Sequence, residues 1–330
     1  MQALAMLVAA LVFTAMGALV KLVSDHHTAM EVVAWRGGTG AVLMGGWMLW
    51  RGARPGSPHL RMVLSRSLVG TLALGCWFVT LGTLPLATSV TLNYTAPLFI
   101  ALLAPLGAWL GWQWLGAEPR ADTQTALQTQ VREASQTADD SARTTGHGWL
   151  TVAILASFVG VLLILRPTID RGREFDLALG LFSGLLSAVA YLQVRTLGRV
   201  GEPEWRVVFW FSLVNLAFGA AIASFTGWHT TTLREVLLLV SIGVLAALGQ
   251  LLMTYSFGQG RTLFVANLQY TGVIFATLIG WFWFGDTFEW IEAAGIALIV
   301  LSGLAASTSS VKGAPARHPA STQPNPRRPE

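Results

Sequence analysis

Two short polar clusters interrupt apolar stretches that resemble each other: Asn93-Tyr94-Thr95 within LPLATSVTLNYTAPLFIA, residues 84–101, and Gln269-Tyr270-Thr271 within RTLFVANLQYTGVIFAT, residues 261–277. An amide, a phenol and a hydroxyl side by side donate and accept hydrogen bonds at one point, which is the chemistry of recognition and not of bond making. Asn267 adds a second amide to the later cluster. Gln250, Thr254 and Tyr255 form a further set, in which Gln250 and Thr254 stand four apart and share one face of a helix. Tyr191 and Trp77 supply aromatic surface, and Arg36, in EVVAWRGG, supplies a positive charge. A cavity mixing amides with aromatic walls suits a polar or zwitterionic solute with an apolar or ring-shaped part. Taken singly, each amide could equally hold helices together, at about 1 kcal/mol. The cluster as a whole favours a cavity.

Arg36 is the sharpest single position. A charge one turn inside an apolar span is expensive and marks function by default. It can act as a counter-ion for an anionic group, pair with Glu31 or a carbonyl, or extend towards nearby headgroups.

Catalysis finds little support. The six histidines, His26, His27, His59, His147, His229 and His318, all fall in loops or tails without metal-ligand spacing. No glycine-rich phosphate loop is present. The single cysteine, Cys76, lies in an apolar run and rules out both a disulfide framework and a cysteine-built metal site. Neither a cofactor nor a metal is expected.

The elements that must position these groups are membrane spans. With 53% hydrophobic and 12% charged residues and a mean hydropathy of +0.57, the chain is too apolar for a soluble domain of 330 residues. Ten runs have the length needed to cross a hydrocarbon core. They are Ala3 to Leu22, Val32 to Trp50, Val63 to Leu81, Ser89 to Leu110, Trp149 to Leu165, Leu177 to Leu197, Val207 to Phe225, Val236 to Phe257, Thr262 to Phe284 and Ile291 to Ala306. A leading signal segment would need a cationic start, and nothing positive precedes Lys21, so the first run reads as a retained span.

A shift of about 175 residues lays the two polar clusters on each other and Val32-Val33-Ala34-Trp35 on Val207-Val208-Phe209-Trp210. Five spans per half is odd, so the copies enter the membrane in opposite senses. The expected fold is therefore an all-α integral membrane protein with ten transmembrane helices in two inverted five-helix repeats, the clusters forming facing walls of a pathway. Residues 1–115 hold the first four helices, 116–147 a polar cytoplasmic insertion, 148–166 the fifth helix, 167–307 the second repeat and 308–330 a disordered basic tail. Of the 21 Lys and Arg, fifteen fall on the side of the N-terminus, among them Arg51, Arg54, Arg61 and Arg66, five fall opposite, and Arg36 lies within a span. Both termini are thus expected in the cytoplasm.

This pattern, with the GWFWFGDTFEWIEAAGIALIVLSG ending, resembles the EamA branch of the drug/metabolite transporter superfamily, apart from the long insertion. Where the family has a glycine followed by glutamate after the fourth and ninth spans, this chain has Ala117-Glu118 and Gly285-Asp286. The resemblance implies an inner-membrane carrier of small metabolites or amino acids, often outward, with a cavity lined by the first, third, fourth, sixth, eighth and ninth helices. Its partners would be a small-molecule substrate, the lipid bilayer and, as the candidate assembly, a homodimer; no nucleic acid is expected. Uptake of a vitamin or nucleoside derivative is the nearest alternative. A membrane-embedded enzyme, a lipid-handling protein or a non-transporting subunit are the alternatives from other classes. The acids nearest the membrane, Glu31, Glu289 and Glu292, sit at span ends, which favours movement down a gradient, or coupling through Glu31, over a deep proton relay.

Overall fold

The computed structural model describes residues 2–100, 103, 156, 159–160, 163, 172–259, 265, 268–286 and 289–311, and these are helical wherever they are regular. The first half contributes α1 (Gln2–Val23), α2 (Ala29–Arg51), α3 (Leu60–Thr83) and α4 (Leu86–Asn93), with helical residues 96–100 following α4. The second contributes α5 (Glu174–Arg199), α6 (Glu204–Thr226), α7 (Leu233–Gln259), α8 (Thr271–Ile279), a π-helical turn (Gly280–Phe284) and α9 (Trp290–Val311). Five of them, α1, α3, α5, α6 and most of α7, are long and apolar enough to cross a membrane. The insertion and Asn267 lie outside the described residues, as do nearly all of the expected fifth span and the tail from residue 312 on, whereas residues 308–311, expected in the disordered tail, form the end of α9.

Start and stop signals explain the boundaries. Thr28 and Glu31 cap α2 reciprocally, each side chain bonding the other's backbone N–H, and Thr232 and Glu235 do the same at the start of α7. Gly52, with φ 63°, ends α2 in the left-handed region that glycine adopts freely.

The fourth and ninth spans depart from the continuous helices expected from the sequence. Both are interrupted at the polar motif, at Tyr94-Thr95 in one and Gln269-Tyr270 in the other. Pro97 explains the first, because it has no N–H to offer the carbonyl of Asn93 and its ring crowds that carbonyl. The second copy has no proline there. Its chain turns with Gly272 and Val273 donating to the carbonyls of Gln269 and Tyr270, at 2.8 and 3.1 Å.

Contacts at the helix ends fix the direction of each helix. Gln2 at the start of α1 accepts from Ser256 near the end of α7, Ser65 in α3 accepts from Gln193 in α5, and Pro55 after α2 accepts from Trp210 in α6. These contacts define an N-terminal face. On the opposite face Lys21, Glu31, Thr83, the N–H of Leu86, Arg173, His229 and Asp286 come together in pairs. Hence α1 and α5 run in opposite senses, and so do α2 and α6, α3 and α7, and α4 and α8. The helix pairings follow the same exchange: α1 packs on α7 as α3 packs on α5, α1 on α8 as α5 on α4, and α2 on α7 as α6 on α3, while α2 meets α6 and α4 meets α8.

The α2–α6 contact is the tightest of these, and small residues permit it. A Cβ on Gly219 would stand 2.6 Å from the backbone N of Ala34, and one on Gly37 would overlap the backbone of α6. Close approach of this kind gives dispersion contact that lipid cannot replace. Gly219→Leu should therefore lower the stability of the purified protein by more than the about 1–3 kcal/mol typical of overpacking, read as loss of monodisperse protein or a lower Tm in detergent. Gly46→Ala, at a position with nothing within 4 Å of the added carbon, should leave both unchanged.

Candidate functional site

A cavity lies between the halves, with walls from seven helices: Phe13 and Met16 of α1, Arg36 of α2, Arg66, Gly70 and Trp77 of α3, Asn93 and the adjoining Tyr94 at the end of α4, Ser187 and Tyr191 of α5, Phe211 of α6, and Gln250 and Met253 of α7. Its cavity volume is about 60 Å³. That is space for a few waters at the usual one probe sphere each.

Six of the residues singled out from sequence meet here: Arg36, Trp77, Asn93, Tyr94, Tyr191 and Gln250. The break after Asn93 explains its position, because the helix ends where its amide faces α5. Asn93 Nδ2 donates to Ser183 Oγ at 2.5 Å and to Ser187 Oγ at 3.3 Å. Gly184 lets α5 approach Thr95, whose own hydroxyl donates to the carbonyl of Leu92 at 2.6 Å.

Thr95, Gln269 and Tyr270 are instead buried beside the cavity, at 1% exposure each, and Tyr255, half-buried, is outside the lining. The two motif helices do not face each other across a gap. The ring of Tyr94 packs on Gly272, where an added Cβ would stand 2.6 Å from Tyr94 Cε2, and Thr14 donates to the carbonyl of Gly272 at 3.2 Å. Gln269 reaches the Tyr191 hydroxyl and so supports a wall without forming one. The cavity has moved to the other side of Tyr94, towards α2, α3 and α6.

Arg36 does not pair with Glu31 and does not extend to the surface. It is 4% exposed and its guanidinium lies 5.0 Å from the Phe211 ring centre. Glu31 has other partners: it accepts from the backbone N–H of His229 at 2.6 Å and meets His229 Nδ1 at 2.9 Å and His27 Nδ1 at 3.6 Å. Arg66 is the lining residue that sequence reasoning misplaced. Counted there as a topology-setting charge at a span end, it is 2% exposed and lies 4.1 Å from the other side chain's shared partner, the Phe211 ring. The signal was available, since Arg66 stands inside the run Val63 to Leu81 just as Arg36 stands inside its own.

Ionic ties between the halves are confined, among the described residues, to the face opposite the N-terminus. Lys21 Nζ meets Asp286 at 3.1 and 3.2 Å, and Asp286 also accepts from the Leu86 N–H at 3.1 Å. Glu31 and His229, an ion pair when the imidazole is protonated and a hydrogen bond otherwise, form a second tie, and Arg173 donating to the Thr83 carbonyl a third contact. The contacts described above at the N-terminal face are neutral hydrogen bonds.

The profile of the EamA-like transporter family matches residues 1–117 and 175–308. The chain belongs to the EamA-like transporter family. Among EamA-related proteins, it is 28% identical over 304 residues to the pseudopaline exporter of Pseudomonas aeruginosa, covering 91% of this chain and 93% of that one. It is 26% identical over 313 residues to an uncharacterized transporter of Helicobacter pylori, covering 90% and 91%. A riboflavin transporter of Rhizobium johnstonii is 23% identical over 73% of this chain and 68% of its own length. A crystal structure at 17% identity superposes with a TM-score of 0.63 over 92% of this chain and 96% of the other, which supports the fold alone. This EamA-like chain is therefore a multi-pass membrane protein whose relatives are transporters.

Removing the carboxylate of Asp286 leaves Lys21 and the Leu86 N–H without their acceptor. Asp286→Ala should cost about 1–3 kcal/mol, seen as a lower Tm in detergent. Lys21→Met, which leaves the Leu86 N–H bonded, should cost less.

Proposed function

We propose that this protein is a secondary transporter that exports small polar metabolites, such as amino acids or related compounds, across the bacterial inner membrane by alternating access. In this reading ten spans form two inverted five-helix repeats, with both termini in the cytoplasm. The observation that carries it is the combination of a polar cavity between the halves with ionic ties that, among the described residues, lie on one face. The opposed senses of α1–α4 and α5–α8 support the repeat, and broken helices at matching places support a site at their interface. The basic bias of the N-terminal side makes that side cytoplasmic, so the tied face is the outer one and the conformation is closed to the outside.

Rocking of one half against the other would exchange these ties. Lys21–Asp286 and Glu31–His229 would open as the neutral contacts at the N-terminal face tighten around a smaller gap. Glu31 then stands at the outer closure and not in the cavity, where it can link closure to proton concentration without a relay through the membrane centre. The likeness to an exporter over nine-tenths of both chains supports the outward direction in this reading. The riboflavin transporters among its relatives favour the second reading, uptake of a vitamin-like metabolite.

Expression in a host lacking related exporters, followed by comparison of intracellular and extracellular metabolites, tests this. At least one polar metabolite should accumulate outside the cells, and Asn93→Ala should reduce that accumulation by about tenfold at equal protein level. No difference in either compartment would contradict export, and depletion of a metabolite from the medium would favour uptake.

A further inference from the structure

The cavity's unpartnered polar atoms share one character. Among the described residues, the buried side-chain atoms of its lining that lack a hydrogen-bond partner are Arg36 Nε, Arg66 Nε and Nη1, Trp77 Nε1 and Gln250 Nε2. Every one is a nitrogen donor. The surplus is therefore of donors and of positive charge, and only an acceptor-rich anion balances both.

The two guanidiniums are close enough to act on each other electrostatically, and among the described residues neither forms a salt bridge. Phe211 contacts both. A ring face attracts a cation but does not satisfy N–H donors. The arrangement is also built with some precision, since Gly70 leaves the space in which Arg66 lies: a Cβ there would meet Arg66 Nη1 at 2.9 Å and Phe211 Cε2 at 3.0 Å. Burying two like charges without a counter-ion is strongly unfavourable unless something else offsets it.

We propose that Arg36 and Arg66, both beside the Phe211 ring, form a two-point anion site that takes a small organic acid bearing two carboxylates, one guanidinium to each. This rests on the carrier reading and narrows it, because the cavity's charge selects acids over neutral amides. Gln250 Nε2 and Trp77 Nε1 supply further donors to the same solute. Arginine serves here in place of lysine because its planar fork binds a carboxylate through two parallel hydrogen bonds.

Binding to the purified full-length protein in detergent tests the proposal without any substitution. Glutarate and citrate should raise its Tm and bind about tenfold more tightly than butyrate, and more tightly again than glutaramide, the neutral diamide of glutarate, at matched ionic strength. Arg36→Met and Arg66→Met should each weaken glutarate binding by about tenfold, and the lysine variants should recover part of it. Gly70→Ala should weaken it too by displacing Arg66. Equal binding of glutarate and glutaramide, or full glutarate binding by both methionine variants, would overturn the site. Should either methionine variant fail to fold, the comparison of acid with diamide on the unsubstituted protein decides. Reconstitution in vesicles separates the two layers of the argument. Acid-selective binding without movement of any solute would overturn the carrier and keep the site, whereas transport of neutral solutes unaffected by the methionine variants would overturn the site and keep the carrier.

Discussion

In a hydrocarbon medium a polar group without a partner has no water to fall back on, and that constraint orders this structure more than any single contact. Most hydroxyls on the spans meet it locally. Ser67, Thr71, Thr91 and Ser256 return their protons to carbonyls one turn back, and Thr71 also reaches Asn215 on α6 at 2.6 Å. Exceptions occur in several places, among them Thr88, Gln193 and Gln269, but those that line the cavity are of one kind: two guanidiniums, an indole and an amide whose donors are unmatched.

The same constraint explains why the fourth and ninth spans are broken where they are. Opening a helix at mid-depth frees carbonyls and N–H groups, and these must be bonded again within the protein. At Tyr94-Thr95 short turn bonds from Thr95 to Leu92 and from Leu98 to Thr95 achieve this, and at Gln269-Tyr270 an equivalent pair does so through Gly272 and Val273. The breaks stack against each other through Tyr94 and Gly272. They form a hinge-like seam beside the cavity, so the motif that looks most like a binding site in sequence serves partly as the support of one.

Much of this was legible in the chain. Span positions follow from apolar length, and the duplicated cluster points to the region where the halves meet. Asn93, Tyr94 and Gln250 could be singled out because amides and phenols are rare inside apolar runs. What could not be read is which side of a helix faces which neighbour. Gln269 and Asn93 occupy matching places in the two copies, yet one supports Tyr191 from behind and the other faces the cavity, since the two halves do not pack identically. Arg66 was set aside as a topology charge because a residue near the start of a run looks like a loop neighbour until a facing helix covers it. The tie between Lys21 and Asp286, 265 positions apart, depends on how the halves pack together, which single-chain patterning does not encode.

The central claim is a cavity between two oppositely inserted halves that reaches one side of the membrane at a time. Labelling of a cysteine introduced at Ala73, which lines the cavity, in a background with Cys76 replaced by serine, tests it most directly. With a membrane-impermeant thiol reagent applied to sealed vesicles of each orientation, the account predicts modification from the N-terminal side of the protein, with access from the other side appearing when the Asp286 tie is removed by Asp286→Asn. Modification from neither side in both proteins, or equal access from both sides with the tie intact, would contradict it.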